Sequence, residues 1–213
     1  MAVQFQETSR TFSQTLSQVA DTIETQEQVT LRELLMLIGE QGLLLFCMIL
    51  VVPFLFPVSI PGVSTVFGAV IILIGIGVTL NRLPWLPEGL LKRTFETKGL
   101  VPTFRSGAQR FAFLDNLLRP RLSALSGNLL IDRLNGFMLT FAGVLLIFPL
   151  GLIPFSNTLP GIAVLLLAAG LLQRDGLMIL LGYVFNLLTV IYFGALALGA
   201  IAAGQGIASL IGS

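Results

Sequence analysis

Histidine is absent from this chain of 213 residues, cysteine occurs once, and charged residues make up only 11%. Without histidine the chain cannot build a Ser-His-Asp triad or a histidine-ligated metal site. The single cysteine, Cys47, lies inside the apolar run LLLFCMILVV, which predicts a packing residue and no disulfide within the chain. Ordinary soluble domains carry about 25% charged residues. The small number of charged residues therefore excludes an ordinary soluble domain.

The few charges are segregated along the chain. No Asp, Glu, Lys or Arg occurs in residues 41–81, 134–173 or 176–213, which are blocks of 41, 40 and 38 residues. About 20 apolar residues suffice for a helix that crosses a bilayer. The sequence therefore predicts an all-α polytopic integral membrane protein.

The charges outside these blocks differ in sign. Residues 1–40 hold six acids and two bases, a net charge of −4, whereas residues 82–133 hold nine bases and four acids, a net charge of +5. Lys and Arg beside membrane segments mark the cytoplasmic side. We therefore expect the 82–133 connector to be cytoplasmic.

Two proline-rich loops interrupt the most apolar parts of the chain. The first is VVPFLFPVSIPGV at residues 51–63, and the second is IFPLGLIPFSNTLPGI at residues 147–162. Each follows an apolar arm that opens at a glycine, Gly42 or Gly136, and each closes on Pro-Gly before a second apolar arm. The shared order of these features predicts an internal duplication with two proline-broken helical hairpin repeats.

The two loops have two interpretations. Proline breaks helices, and in transporters matching broken or re-entrant helices, often arranged as an inverted repeat, line the substrate site. Alternatively, the prolines lie in ordinary turns just outside the bilayer. Both interpretations stay open, because the depth of the loops does not follow from their composition.

Two polar segments have helical periodicity. Residues 4–27 form an acidic amphipathic helix, which we expect to dock onto the basic connector. Residues 104–118 form a basic amphipathic helix, which is typical of an interfacial helix that contacts anionic lipid head groups. The basic stretch is short and joins two membrane blocks, so we expect no nucleic-acid partner.

These observations divide the chain into five segments. They are an acidic N-terminal arm at 1–29, membrane repeat 1 at 30–82, the basic connector at 83–133, membrane repeat 2 at 134–174, and a C-terminal transmembrane segment at 175–213. The sequence has no phosphate-binding loop, no GxSxG motif, no cluster of metal ligands and no carboxylate pair at catalytic spacing. We therefore expect no enzyme activity, no catalytic residue, no metal and no cofactor.

The proline loops also supply candidate binding residues. Helix N-termini after the two Pro-Gly pairs would present free N–H groups and positive dipole ends, which suit an anionic or polyhydroxyl ligand. The predicted substrate-binding residues are Ser59, Pro61, Gly62, Ser64, Asn157, Pro160, Gly161, Arg174 and Asp175.

Four ionisable residues near the charge-free blocks have open roles. Arg174 and Asp175 separate two such blocks, so they are either an intramembrane functional pair or a cytoplasmic turn in which Asp175 caps the next helix. Glu33 and Glu40 lie seven residues apart on one helical face. They could carry protons or only meet the membrane interface.

Several segments resemble the ExoD family of bacterial membrane proteins. They are LRELLMLIGEQG at 31–42, PVSIPGVSTVFG at 57–68, PWLP at 84–87, RPRL at 119–122 and SNTLPGIAVLLLAAGLLQRDG at 156–176. The resemblance covers residues 30 to about 200 and leaves the N-terminal arm outside. The chain departs from the family pattern at Gln173, where similar sequences have an acid, which weakens any role for an acid there.

The resemblance implies a part in exopolysaccharide synthesis or export at the bacterial inner membrane. Because the sequence offers broken helices and lacks catalytic motifs, we expect the chain to transport a small solute, ion or polysaccharide-related substrate. The alternative is a non-transporting accessory or regulatory subunit that scaffolds a polysaccharide synthase complex. We also expect a homodimer, because about 213 residues are few to enclose a pathway.

Overall fold

The computed structural model describes residues 12–55, 62–82, 88–117, 122, 125–126, 128–148 and 153–211. Its elements, in chain order, are α1 (Phe12–Ile23), β1 (Gln28–Thr30), α2 (Leu31–Val51), a 3-10 turn (Val52–Leu55), α3 (Val63–Leu80), α4 (Glu88–Leu91), β2 (Thr94–Glu96), α5 (Thr97–Leu117), α6 (Leu129–Ile147), α7 (Thr158–Gln173) and α8 (Gly176–Ile211). The helical class predicted from the sequence is confirmed. The two short strands were not predicted.

Four helices in the described residues are long and apolar enough to cross a membrane. They are Leu31–Leu55, Val63–Leu80, Leu129–Ile147 and Gly176–Ala203, and α7 is a shorter apolar helix of 16 residues. Their length and composition are those of a membrane protein, as predicted. The first helix of each hairpin begins before the charge-free block, so α2 and α6 are longer than the apolar arms that open at Gly42 and Gly136.

Helices α3 and α6 run antiparallel in backbone contact. A Cβ atom added at Gly75 would lie 2.5 Å from Oγ1 of Thr140, and one added at Gly136 would lie 2.6 Å from the backbone nitrogen of Thr79. Since only glycine leaves this space, the two helices approach as closely as small residues allow in membrane bundles. Glycine therefore sets the contact between the two hairpins.

Helix α7 lies inside the bundle, against both α2 and α8. In its first turn Gly161 packs against Val51 of α2, and near its end Gly170 packs against Ile179 of α8. Buried residues occur all around α7, including Val164, Leu167, Ala168 and Leu172. A helix that is apolar on every side is typical of a buried position.

The contacts fix the directions of the five bundle helices. Because α3 is antiparallel to α6, and α7 to α8, helices α2, α6 and α8 run one way while α3 and α7 run the other. We name the two ends of the bundle accordingly. The connector end holds the start of α6 and the turn between α7 and α8, and the loop end holds the two proline-rich loops.

The N-terminal helix and the connector form one unit, which we name the cap: α1, β1, β2 and α5. Strand β1 pairs with β2 in antiparallel register, with Val29 opposite Phe95. The buried residues Val19, Ile23, Val29 and Leu34 form a small core of their own, with Leu100, Val101 and Phe104 packed against it. The cap therefore joins the N-terminal arm to the connector through strand pairing as well as through a shared core.

The predicted docking of the acidic arm onto the basic connector is confirmed. Arg105 of α5 forms ion pairs with Glu24, at 2.8 Å, and Asp21, at 3.4 Å. The helices differ in extent from those expected, since α1 covers Phe12–Ile23 and α5 begins seven residues before position 104. Pro102 lies inside α5, within the part that the sequence analysis left out of the helix.

Candidate functional site

The structure separates the predicted site residues into two groups. Ser59 and Pro61 lie outside the described residues. Gly62 and Ser64 begin α3, and Asn157, Pro160 and Gly161 begin α7, all at the loop end. Arg174 and Asp175 lie at the other end of α7, whose 16 residues span about 24 Å at 1.5 Å per residue. One compact site therefore does not contain them all.

At the loop end, Phe54 connects the two hairpins. A Cβ atom added at Gly161 would lie 3.4 Å from Cβ of Phe54 and 3.3 Å from Cγ2 of Val51. The ring of Phe54 meets that of Phe67 in α3 edge to face, with centroids 5.9 Å apart. Phe54 is 1% exposed, so the first loop begins in close contact with the second Pro-Gly pair.

The expectation of a free N–H group after Pro160 is wrong. Helix α7 begins at Thr158, and Pro160 occupies its first turn, where a missing proline donor is tolerated. The N–H of Gly161 donates a 3.0 Å hydrogen bond to the carbonyl oxygen of Asn157. Asn157 itself is buried. The loop end thus has no free donor at position 161.

Asp175 caps the N-terminus of α8 at the connector end, which is one of the two alternatives predicted from the sequence. Its Oδ1 accepts hydrogen bonds from the backbone N–H groups of Leu177, at 3.0 Å, and Met178, at 3.4 Å. Arg174 closes α7 in the left-handed conformation, with φ 52°, and its side chain is exposed. Capping therefore explains Oδ1 of Asp175, whereas its Oδ2 is buried and accepts no hydrogen bond from the residues that the structure describes.

Glu40 follows a break in α2. Gly39 has φ 61° and ψ −146°, a conformation that glycine tolerates and that no helical residue adopts. Glu40, the next residue, is partly buried and interacts electrostatically with Asp132 of α6 and with Arg174. The break thus places a carboxylate among charges from two other helices.

Glu33 has a different role from Glu40, although the sequence analysis treated them as a pair. The carboxylate of Glu33 accepts hydrogen bonds from the backbone N–H and the hydroxyl of Thr30, at 2.8 and 2.9 Å. The Thr30 hydroxyl accepts in turn from the N–H of Glu33, at 3.2 Å. This is a capping box, and it explains Glu33 at the exposed start of α2.

Sequence reasoning missed a set of polar residues in α6 and α8, which we name the polar seam: Asn135, Tyr183, Asn186 and Thr189. The Tyr183 hydroxyl donates a 2.6 Å hydrogen bond to Oδ1 of Asn135, and Nδ2 of Asn186 donates a 3.0 Å bond to the carbonyl oxygen of Met138. Asn135, Asn186 and Thr189 are at most 1% exposed. The three-residue spacing of the α8 members was the available signal.

Comparison of the sequence with known proteins identifies its family. A family model described as "Exopolysaccharide synthesis, ExoD" matches residues 12–195. The chain belongs to the ExoD family. Membership implies involvement in exopolysaccharide synthesis, as the sequence resemblance predicted. The match begins inside α1, so the expectation that the N-terminal arm lies outside the family is wrong.

Two relatives support the ExoD assignment. Protein ExoD of Rhizobium meliloti (strain 1021) is 56% identical over 207 residues, which cover 97% of this chain and 86% of the relative. An uncharacterized protein of a Synechocystis species is 28% identical over 161 residues, covering 75% and 74% of the two chains. No solved structure matches.

The ExoD-family chain has no obvious metal site in the part that the structure describes. Within those residues, no group of three or more His, Cys, Asp or Glu side chains could hold a metal ion. The ionisable residues that interact electrostatically at the connector end are Glu40 with Asp132 and Glu40 with Arg174. This mixed charge cluster, with the polar seam beside it, is the candidate functional site.

Proposed function

We propose that this ExoD-family chain serves exopolysaccharide production as an inner-membrane transport protein that moves a small solute, ion or polysaccharide-related substrate. The observation that carries the proposal is the helix break at Gly39, after which Glu40 interacts electrostatically with Asp132 and Arg174. Ionisable residues within membrane helices are costly and commonly mark pathways for ions or substrates. Interrupted helices in transporters expose the backbone at such sites.

The arrangement of the two hairpins supports an internal duplication. Helix α3 ends at Asn81, whose N–H donates to the Gly77 carbonyl, and α7 ends at Arg174, whose N–H donates to the Gly170 carbonyl, both in the left-handed conformation. The two first helices run in the same direction, and so do the two second helices. These directions favour a parallel repeat, related by an axis along the helices, over the inverted repeat expected from the sequence.

The cap supports an orientation and a lipid partner. It exposes Lys92, Arg93 and Lys98 on the segment that follows α3. Basic residues beside membrane spans favour the cytoplasmic side and attract anionic lipid head groups. We therefore propose that the connector end and the cap lie in the cytoplasm, with the proline-rich loops at the opposite face.

A second candidate function rests on the same cap. Because the cap has its own small core and exposes both acidic and basic side chains, a synthase is a suitable partner for it, and the chain would then be a non-transporting accessory subunit of polysaccharide machinery. The homodimer expected from the sequence belongs to the transport proposal, in which a second copy would help to enclose the pathway. Native mass spectrometry of the purified protein tests that state, and a monomer would contradict it.

Flux through purified protein in liposomes tests the transport proposal. We expect wild-type protein to carry solute or ion flux above that of empty vesicles, and Glu40→Gln to reduce it at least tenfold. The matched control is Glu33→Gln, because glutamine also serves in a capping box, so its flux should equal wild type. Repeated absence of wild-type flux, together with a co-purifying synthase, would favour the accessory subunit.

The loop end needs a separate test. Asn157→Leu should impair flux with little change in thermal stability if Asn157 contacts the substrate, and Pro160→Ala should impair flux without preventing expression. If Asn157→Leu leaves flux intact, the loops are structural turns and the Glu40 cluster carries the function alone.

A further inference from the structure

The carboxamide of Asn186 lies buried in the apolar middle of α8, with 1% of its surface exposed. Its Nδ2 donates to the Met138 carbonyl of α6 at 3.0 Å. Because a carbonyl oxygen only accepts, this bond fixes Oδ1 at the other corner of the amide. Oδ1 accepts no hydrogen bond from any residue that the structure describes. A buried acceptor without a donor is unfavourable, so a water molecule or a ligand bound at Oδ1 would be stabilising.

Two residues with hydroxyl groups lie on either side of Asn186 along α8. Tyr183 and Thr189 are three residues before and after it, so each lies about 4.5 Å away along the axis and about 60° around it. The Tyr183 hydroxyl donates its proton to Asn135 and the Thr189 hydroxyl donates its proton to the Phe185 carbonyl at 2.7 Å. With both protons engaged, the hydroxyls offer lone pairs only.

The chemistry of these oxygens selects the ligand class. An anion needs several donors, and these side chains have few left, because both hydroxyl protons and one of the two N–H groups of the Asn186 amide are already used. A sugar needs both donors and open space, and Asn186 and Thr189 are buried. Residues 176–213 contain no Asp or Glu, so the site lacks the carboxylates that divalent cations favour. A small monovalent cation is the remaining charged class that uncharged oxygens can hold.

We propose that the polar seam binds a small monovalent cation through Oδ1 of Asn186. This proposal rests on the proposed transport function for its biological role, and it names the transported or coupled species as a cation. The Glu40, Asp132 and Arg174 cluster lies at the connector end of the same bundle, where the seam begins with Asn135.

Thermal unfolding of the full-length protein in detergent tests binding without transport. Melting is compared in NaCl, KCl and choline chloride at equal ionic strength. A ligand at ten times its Kd should raise the Tm by roughly 3–6 °C for a chain of this size, in NaCl or KCl but not in choline chloride. Asn186→Leu should abolish the difference between salts, and Thr189→Val should reduce it.

Thr140→Val is the matched control for Thr189→Val. The Thr140 hydroxyl also donates to the carbonyl four residues earlier, that of Gly136, at 2.9 Å, but Thr140 faces α3 rather than α8. It should keep the full salt difference. If Asn186→Leu fails to express, Asn186→Ala removes the same oxygen with less steric strain.

Each remaining outcome is decisive. An equal wild-type Tm in all three salts, or an Asn186→Leu variant with the wild-type salt difference, overturns the cation site. A variant that is more stable than wild type in every salt would mean that Oδ1 holds water only. A Tm that depends on the cation, without any flux, would support the cation site and contradict the transport function. Flux of an uncharged solute without any cation effect would support the transport function and contradict the cation site.

Discussion

The hydroxyl of Tyr183 donates a 2.6 Å hydrogen bond to Oδ1 of Asn135, and this bond ties α8 to the first turns of α6. Asn135 is fully buried, and its Nδ2 donates to the Leu125 carbonyl at 3.0 Å. Both ends of the amide are therefore satisfied inside an otherwise apolar bundle. The pair also begins the polar seam that continues to Asn186 and Thr189.

Removal of the Tyr183 hydroxyl should destabilise the bundle. Tyr183→Phe leaves Oδ1 of Asn135 without this donor, and the expected loss of unfolding free energy is about 1–3 kcal/mol, measured by denaturation in detergent. Tyr192→Phe is the control, because the Tyr192 hydroxyl donates to the Pro154 carbonyl in an exposed setting and its loss should matter less. Equal effects of the two variants would contradict this account.

The close contact of α3 and α6 should make Gly75 intolerant of a methyl group. A Cβ atom there would lie 2.8 Å from the backbone nitrogen and 3.0 Å from Cα of Thr140, and backbone atoms cannot move aside cheaply. Gly75→Ala should cost about 1–3 kcal/mol. Gly194→Ala is the control, since nothing lies within 4 Å of its added Cβ, and it should be neutral or slightly stabilising. A stable Gly75→Ala variant would show that α3 and α6 separate easily.

Substitutions of Asp175 distinguish a helix cap from a binding residue. Asp175→Ala loses the acceptor for the N–H groups of Leu177 and Met178, which should cost about 0.5–2 kcal/mol. Asp175→Asn keeps an oxygen acceptor and should stay near wild type in both stability and flux. If Asp175→Asn abolishes flux at unchanged stability, the negative charge has a functional role beyond capping.

Charge reversal of Arg105 should release α1 from α5. The hydrogen bond with Asp21 and the charge of Glu24 raise the pKa of Arg105 above its already high ordinary value, so the stabilisation by this pair is lost only as the pH rises through that raised pKa. Changes of pH near neutrality therefore leave the pair intact, whereas salt screens it. Arg105→Glu should speed proteolysis within residues 12–23, most clearly at low salt. Lys92→Glu, which removes an exposed pair with Glu88, should not.

Labelling of single cysteines should reveal the orientation of the bundle. Cys47 is buried, so added cysteines can be labelled in its presence. Lys98→Cys on the cap should react only with reagents that reach the cytoplasm, and Phe155→Cys, at an exposed position of the loop end, should react only from outside. The reverse pattern would place the cap outside the cell and reject the proposed orientation.

Several features could be predicted from the sequence because they depend on local composition. The charge-free blocks predict membrane helices whatever their packing, since bilayer thickness sets the required length. The opposite charges of residues 1–40 and 82–133 predicted the docking of α1, which the Arg105 ion pairs confirm. The role of Asp175 as the N-terminal capping residue of α8 was also one of the two predicted alternatives, because Asp before an apolar run is a helix-start signal.

Other features required the tertiary structure. Glu33 and Glu40 look equivalent along one helical face, and only the backbone at Gly39 separates a capping residue from a residue directed into the bundle. Pro160 lies in the first turn of α7, so the helix break that this proline predicted does not occur at that position.

By itself the sequence determined the class of this protein, its charge asymmetry and its family. Hydropathy and charge act over a few residues and require no knowledge of neighbours. The tertiary structure alone decided which helices pair and which polar atoms meet. Asn135 and Tyr183 are 48 residues apart in the chain, and Asn186 and Met138 are equally far apart. Because such contacts depend on how α6 and α8 cross, no local pattern could reveal which buried oxygen remains open for a ligand.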